Sequence, residues 1–200
     1  MKFTVLAAAA SVALTASAQP TSTAQATSTA APSSSSTPSA NLDTFSVVAI
    51  RSGDAVQYSG FNAALGSLFA GLPSQNATCD GTDDGFATFY IKNGALFLYG
   101  PESQEFYVDR SGMGQGNIGY TTGDASSGPR NGERTGWVIN EQNHLQFDGS
   151  DPIACPNSID GAYSIWASAG IANPAGNKDC VGIAARVEKS SDATSCTYSS

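Results

Sequence analysis

The chain has 200 residues, with 17 acidic against 9 basic side chains, a net charge of −8 and 21 glycines. That balance excludes nucleic acid and anionic membrane as partners, because both are bound through a basic face. A single histidine in the whole sequence leaves little room for chemistry that depends on imidazole.

Residues 1–18, MKFTVLAAAASVALTASA, combine one lysine, a short apolar run and an Ala-Ser-Ala end, which is the pattern of a secretory signal peptide. The run is shorter than the roughly 20 residues needed to cross a bilayer, so the mature protein is expected to be secreted and soluble. Residues 19–41 carry no charge and no aromatic ring, and 12 of them are Ser or Thr. Such a segment cannot offset its chain entropy by burial. It reads as a disordered linker suited to O-linked sugars.

Residues 42–200 form one domain by length. Short apolar runs alternate there with Gly, Asn, Asp and Pro, which predicts a small antiparallel all-β fold of about twelve strands. In chain order the expected strands are Phe45–Ile50, then "SLFAG", the runs ending in Ile91 and "ALFLYG", "EFYVD", "NIGYTT", the run ending in Ile139 and "HLQFDG", "IACPN", "AYSIWA" and "CVGIAARV". A hexapeptide recurs three times, as "AVQYSG" ending at Gly60, "ALFLYG" ending at Gly100 and "HLQFDG" ending at Gly149. Each follows an apolar strand, so each predicts a hairpin. Three such repeats suggest a β-trefoil, the alternative being an irregular β-barrel or sandwich. In the trefoil, Val56, Leu96 and Leu145 occupy equivalent buried places, as do Tyr58, Leu98 and Phe147. Closure pairs Val181–Val187 with Phe45–Ile50.

Cys79, Cys155, Cys180 and Cys196 lack zinc-type spacing, and in an exported chain they predict two disulfides whose pairing the spacing leaves open. Asn76-Ala77-Thr78 is an N-glycosylation sequon, placing Asn76 in a surface loop.

The remaining motifs carry little chemistry. "GMGQGNIG" (112–119) has the letters of a dinucleotide-binding loop, but strands flank it on both sides and no helix follows, so a hairpin connection is expected. "CDGTDDGF" offers Asp80, Asp83 and Asp84 as oxygen donors, yet Thr82 and Ile91 occupy positions where a calcium loop needs oxygen ligands. His144 sits in a turn motif with no nucleophile elbow around it. Neither a catalytic residue, a metal ligand nor a cofactor site is therefore assigned. Tyr99, Tyr107, Tyr120 and Tyr163 are candidate sugar-stacking residues, whereas Trp137 and Trp166 lie in strand patterns and are expected in the core.

The stretches "VVAIRSGDAVQYSGFNAA", "SQNATCD", "VDRSGMGQGNIGYTTG", "NHLQF", "IACPNSIDGAYSIWASAGIANPAGN" and "DCVGIAARVE" closely resemble the filamentous-fungal cell wall protein phiA family. The resemblance runs from about Phe45 to Cys196. It implies a secreted, non-catalytic wall glycoprotein with a structural role in conidiophore, phialide and conidium development. A carbohydrate-binding module without catalysis is the alternative. The expected partner is wall polysaccharide or another wall component, and the domain is expected to be monomeric.

Overall fold

The computed structural model describes residues 42–124 and 127–200. The signal peptide and linker expected at 1–41 lie outside them. Among the described residues no helix is long and apolar enough to cross a membrane, and the regular structure is almost entirely strand.

Fifteen strands follow in order: β1 (Phe45–Ile50), β2 (Phe61–Ala64), β3 (Ser67–Ala70), β4 (Thr78–Cys79), β5 (Phe89–Lys92), β6 (Ala95–Leu98), β7 (Gln104–Asp109), β8 (Asn117–Thr122), β9 (Trp137–Ile139), β10 (Leu145–Phe147), β11 (Ile153–Cys155), β12 (Tyr163–Trp166), β13 (Val181–Gly182), β14 (Ala184–Lys189) and β15 (Cys196–Thr197). Eleven of them make one antiparallel sheet in the order β13-β11-β12-β3-β8-β7-β6-β5-β1-β14, with β2 on β3. The two ends of that path, β13 and β14, are one run of chain broken only at Ile183. The Ile183 N–H donates to Pro152 O at 3.0 Å and the side chain is buried. The sheet therefore closes on itself, and closure removes the edges that would otherwise pair with other chains.

β14 pairs with β1 through all six residues, with Val187 opposite Val47, as the closure argument required. β1 and β7 alternate buried and half-buried residues along their lengths, the period-2 signature of strands with one face on a core. Inward rings form a connected file: Phe45 on Phe89, Phe89 on Phe106, Phe106 on Tyr120 and Trp137, and Trp137 on Phe147, with centroids 5.1–6.3 Å apart.

The three hexapeptides are not equivalent, so the pairing follows the irregular barrel and not the trefoil. The second copy is the expected hairpin, β5–β6, turning through Asn93-Gly94 with both residues at positive φ, the signature of a two-residue hairpin turn. The third is also a hairpin, β9–β10. The first is not a strand. Asp54 Oδ1 accepts the Val56 N–H at 3.0 Å, starting a series of turns that ends with Tyr58 at φ 65°. Val56, Leu96 and Leu145 are all buried as expected, but Tyr58 is 69% exposed while Leu98 and Phe147 are buried. A short aspartate competing for local backbone N–H groups overrides the strand pattern here.

The C-terminal residues form an end plug. β15 pairs with β4, placing Cys196 opposite Cys79, and these two are disulfide-bonded, as are Cys155 and Cys180. Beyond β15, Tyr198 is buried. Its peptide is clamped by the Gln104 side chain, which accepts from Tyr198 N at 2.9 Å and donates to Tyr198 O at 2.8 Å.

Candidate functional site

The four tyrosines singled out as sugar contacts do not share a surface. Tyr99 follows β6 with its backbone spent on Thr88 and Cys196, and its ring is half-buried. Tyr107, on β7, lies half-buried beneath the Arg134 guanidinium, 5.9 Å from the ring centre. Tyr163, on β12, donates to Asp54 Oδ1 at 3.3 Å, and desolvation together with the Asp54 charge raises its pKa. Tyr120 drops out as a contact: it is 3% exposed, and its hydroxyl donates to Ser199 O. Burial raises the pKa of Tyr120 and pushes that of Tyr198 up to about 12, marking both as interior phenols.

Other polar groups are occupied with holding backbone. Asp83 Oδ1 accepts from Gln75 Nε2 and from Gly85 N, each at 2.8 Å, and Asp80 Oδ1 accepts from Ser195 N at 3.1 Å. His144 is half-buried in the β9–β10 turn, where its backbone N–H donates to Asn140 Oδ1 at 2.9 Å. Glu133 is hydrogen-bonded to Arg110, which holds its carboxyl below the usual range, and Arg110 also reaches Asp148 at 3.0 Å. The glycine-rich loop connects β7 to β8 as a hairpin. Asp109 Oδ1 accepts from Ser111 N, and Ser111 Oγ from Gly114 N. At Gly114 a side chain would collide with Asp109, so that glycine is required by close packing.

A groove of about 330 Å³ opens on the outer face of β3, β8 and β12. Its floor follows from register. Trp166 lies opposite Asn117, Ser164 opposite Phe69 and Ser67 opposite Gly119, and residues two apart on a strand share a face. The side chains of Trp166, Asn117, Ser164 and Ser67 therefore point away from the barrel core, as does Phe69, which is buried in a small separate cluster with Ala64, Leu72 and Ala162, while Leu68, Ile118 and Ile165 between them point into the core. Trp166 is thus not the core residue expected from its strand pattern: it is half-buried, with its indole N–H donating to Ser164 Oγ at 2.9 Å. Trp137 is in the core as expected.

Two loops wall the groove. One carries Ser158 and the turn Ile159–Gly161; the other carries Ala175 and Asn177 of the turn at Pro174–Gly176. Both loops and β12 lie within the segment closed by the Cys155–Cys180 bridge. The second wall is tied to the glycine-rich loop, since Ala175 N donates to Gln115 Oε1 at 2.7 Å. Among the described residues, the Asn117 amide and the Ser158 hydroxyl have no hydrogen-bond partner. Every side chain lining the groove is uncharged. A larger cleft of about 510 Å³ at the β13–β14 break is lined by Arg51 and Asp151 but by no aromatic ring. Sequence reasoning missed Asn117 and Asn177; Ser164, two residues before Trp166, was the one local sign that this strand face is outward.

A closed, disulfide-braced all-β domain with an uncharged aromatic groove defines the class as an extracellular β-domain. The chain belongs to the PhiA-like secreted protein family, which matches residues 45–199, and it is a secreted protein of the cell wall. It is 79% identical over 159 residues to a cell wall protein phiA of Emericella nidulans, covering 79% of this chain and 87% of that one. Against the protein of the same name from Aspergillus fumigatus it is 66% identical, covering 77% and 84%, and against that of Aspergillus niger 60%, covering 80% and 88%. No solved structure matches the chain.

Proposed function

We propose that the protein is a non-catalytic structural component of the fungal wall that acts during conidiophore, phialide and conidium development, as a monomeric domain whose partner is wall polysaccharide or another wall component. The observation that supports this most is where the polar side chains are committed. Asp54, Asp80, Asp83 and Gln104 hold backbone groups, and Glu133 is committed to Arg110. Such a domain resists opening, which suits a load-bearing matrix. Its acidic charge turns it away from nucleic acid and anionic lipid.

The test is deletion of the gene in the source fungus, with complementation by the wild-type chain. Sparse or malformed phialides and conidia, restored by the wild-type gene, are expected; normal sporulation in the deletion strain refutes the developmental role. Incubating the secreted protein with purified wall polysaccharides is expected to leave the number of reducing ends unchanged, and new ends refute the non-catalytic reading. The Trp166 groove favours a second reading, a carbohydrate-binding module without catalysis.

A further inference from the structure

We infer that the groove over β3, β8 and β12 is a binding site for a neutral polysaccharide, with Trp166 stacking on the flat C–H face of a pyranose ring and Asn117, Asn177 and Ser158 hydrogen-bonding its hydroxyl or amide groups. The inference rests on the reading that the partner is a wall polysaccharide and adds where on the molecule it is held.

Four observations converge on it. The volume of about 330 Å³ is at the lower end of the range of ligand pockets. A half-buried indole on the floor, with its N–H already satisfied by Ser164, presents an apolar face, and aromatic faces are favoured partners for apolar surfaces carrying polar rims. The Asn117 amide and the Ser158 hydroxyl have no partner among the described residues, and hydroxyl-rich ligands need donors and acceptors of that kind. The absence of any charged lining residue selects an uncharged ligand over a phosphorylated or acidic one.

The site is also preorganised. Its walls are braced by the Cys155–Cys180 bridge and by the Gln115 latch onto Ala175, so little ordering remains to oppose binding. Two residues beyond Asn117 on the same face of β8 is Gly119, where an added Cβ would lie 2.5 Å from the Tyr107 hydroxyl. The Tyr107 side chain therefore lies across that glycine and closes the β8 surface beyond the groove.

The test uses the secreted, disulfide-intact protein with two soluble probes, chitohexaose and laminarihexaose, followed by calorimetry and by tryptophan emission. One of the two is expected to bind with an affinity insensitive to salt and to shift the emission of Trp166. Trp166→Ala should weaken binding roughly tenfold or more. Asn117→Ala should weaken it several-fold with an unchanged melting temperature, because that amide makes no internal bond; should Trp166→Ala fail to fold, Asn117→Ala and Trp166→Phe carry the test. Binding of either probe that is unchanged in the folded variants overturns the groove assignment while leaving the polysaccharide partner standing. Absence of binding to both probes by the wild type overturns the site and counts against the polysaccharide reading as well. Binding abolished by moderate salt also overturns it, since an uncharged groove cannot hold an ionic ligand.

Discussion

Replacing Gln104 should loosen the end plug more than any surface change. Gln104 opens β7 and is 1% exposed. Its amide mimics a strand neighbour, accepting from Tyr198 N, donating to Tyr198 O and donating also to Thr122 Oγ1 at 3.0 Å. In Gln104→Ala the Tyr198 N–H and C=O lose their partners inside the protein. A buried polar group left unpaired costs about 1–3 kcal/mol, so two of them cost about 2–6 kcal/mol. For a domain of this size that lowers Tm by roughly 5–15 °C.

Gln104→Leu separates the hydrogen bonds from the volume, since it fills the space yet strands the same two groups. It should cost nearly as much as alanine. Gln104→Glu keeps an acceptor for Tyr198 N but sets a carboxylate against Tyr198 O. Its folded-state pKa is therefore raised, so this variant should regain stability as pH falls, when the protonated carboxyl donates where the amide did. Urea denaturation with both disulfides intact measures all three. If Gln104→Ala and Gln104→Leu both unfold within about 0.5 kcal/mol of the wild type, a value typical of inert surface changes, the C-terminal plug is not part of the cooperative core and the reasoning fails.

Removing the Cys79–Cys196 bridge, which spans 117 residues, should cost about 5 kcal/mol by loop entropy, against about 3.5 kcal/mol for Cys155–Cys180, which spans 25. Paired Cys→Ser variants compared in denaturant check the order, and a larger loss at Cys155–Cys180 contradicts it. Tyr198 keeps its proton in the folded state up to about pH 12, whereas the unfolded state releases it near pH 10, so stability should decline between those values by roughly 3 kcal/mol. Ultraviolet titration showing every tyrosine ionising together near pH 10 before unfolding sinks that expectation. Asn76 is exposed, at φ 50°, with Thr78 exposed beyond it; the secreted protein should lose mass on N-glycosidase treatment, and Asn76→Gln should abolish that loss.

The strands were legible where a local period decides burial. Phe45–Ile50 is a nearly continuous apolar run and Glu105–Asp109 alternates in sequence, both strands alternate in burial, and Asn93-Gly94 specifies its own turn chemistry. The closing contact of β14 with β1 was also readable, because the first repeat has one strand fewer than the other two and the last apolar strand, Val181–Val187, can supply it beside Phe45–Ile50. The first hexapeptide misled because its letters match a strand while Asp54 captures the backbone one step earlier. The disulfide pairing was hidden, since register between β4 and β15 depends on where the C-terminal segment crosses the barrel end. The groove was hidden for a related reason. Phe69, Asn117 and Trp166 come together only through the order β12-β3-β8, which follows neither chain sequence nor repeat.

If the groove binds as proposed, the glycine-rich loop separates stability from binding in this fold. Its backbone turns are fixed by Asp109 and Ser111, and the Gln115 side chain holds the groove wall at Ala175. The opposite wall is set by the turn at Ile159–Gly161 and the Cys155–Cys180 bridge. The groove's shape is thus fixed mainly by residues that do not offer their side chains to a ligand, while the side chains of Asn117 and Ser158, which line it, have no hydrogen-bond partner among the described residues. Substitutions at Asn117 should therefore act on binding with little effect on folding, and substitutions at Asp109 or Gln115 should act on both, through the position of the wall. Such a separation is what a rigid wall component needs if it is also to grip the polymer around it: the contacts that bind can open without loosening the contacts that keep the barrel closed.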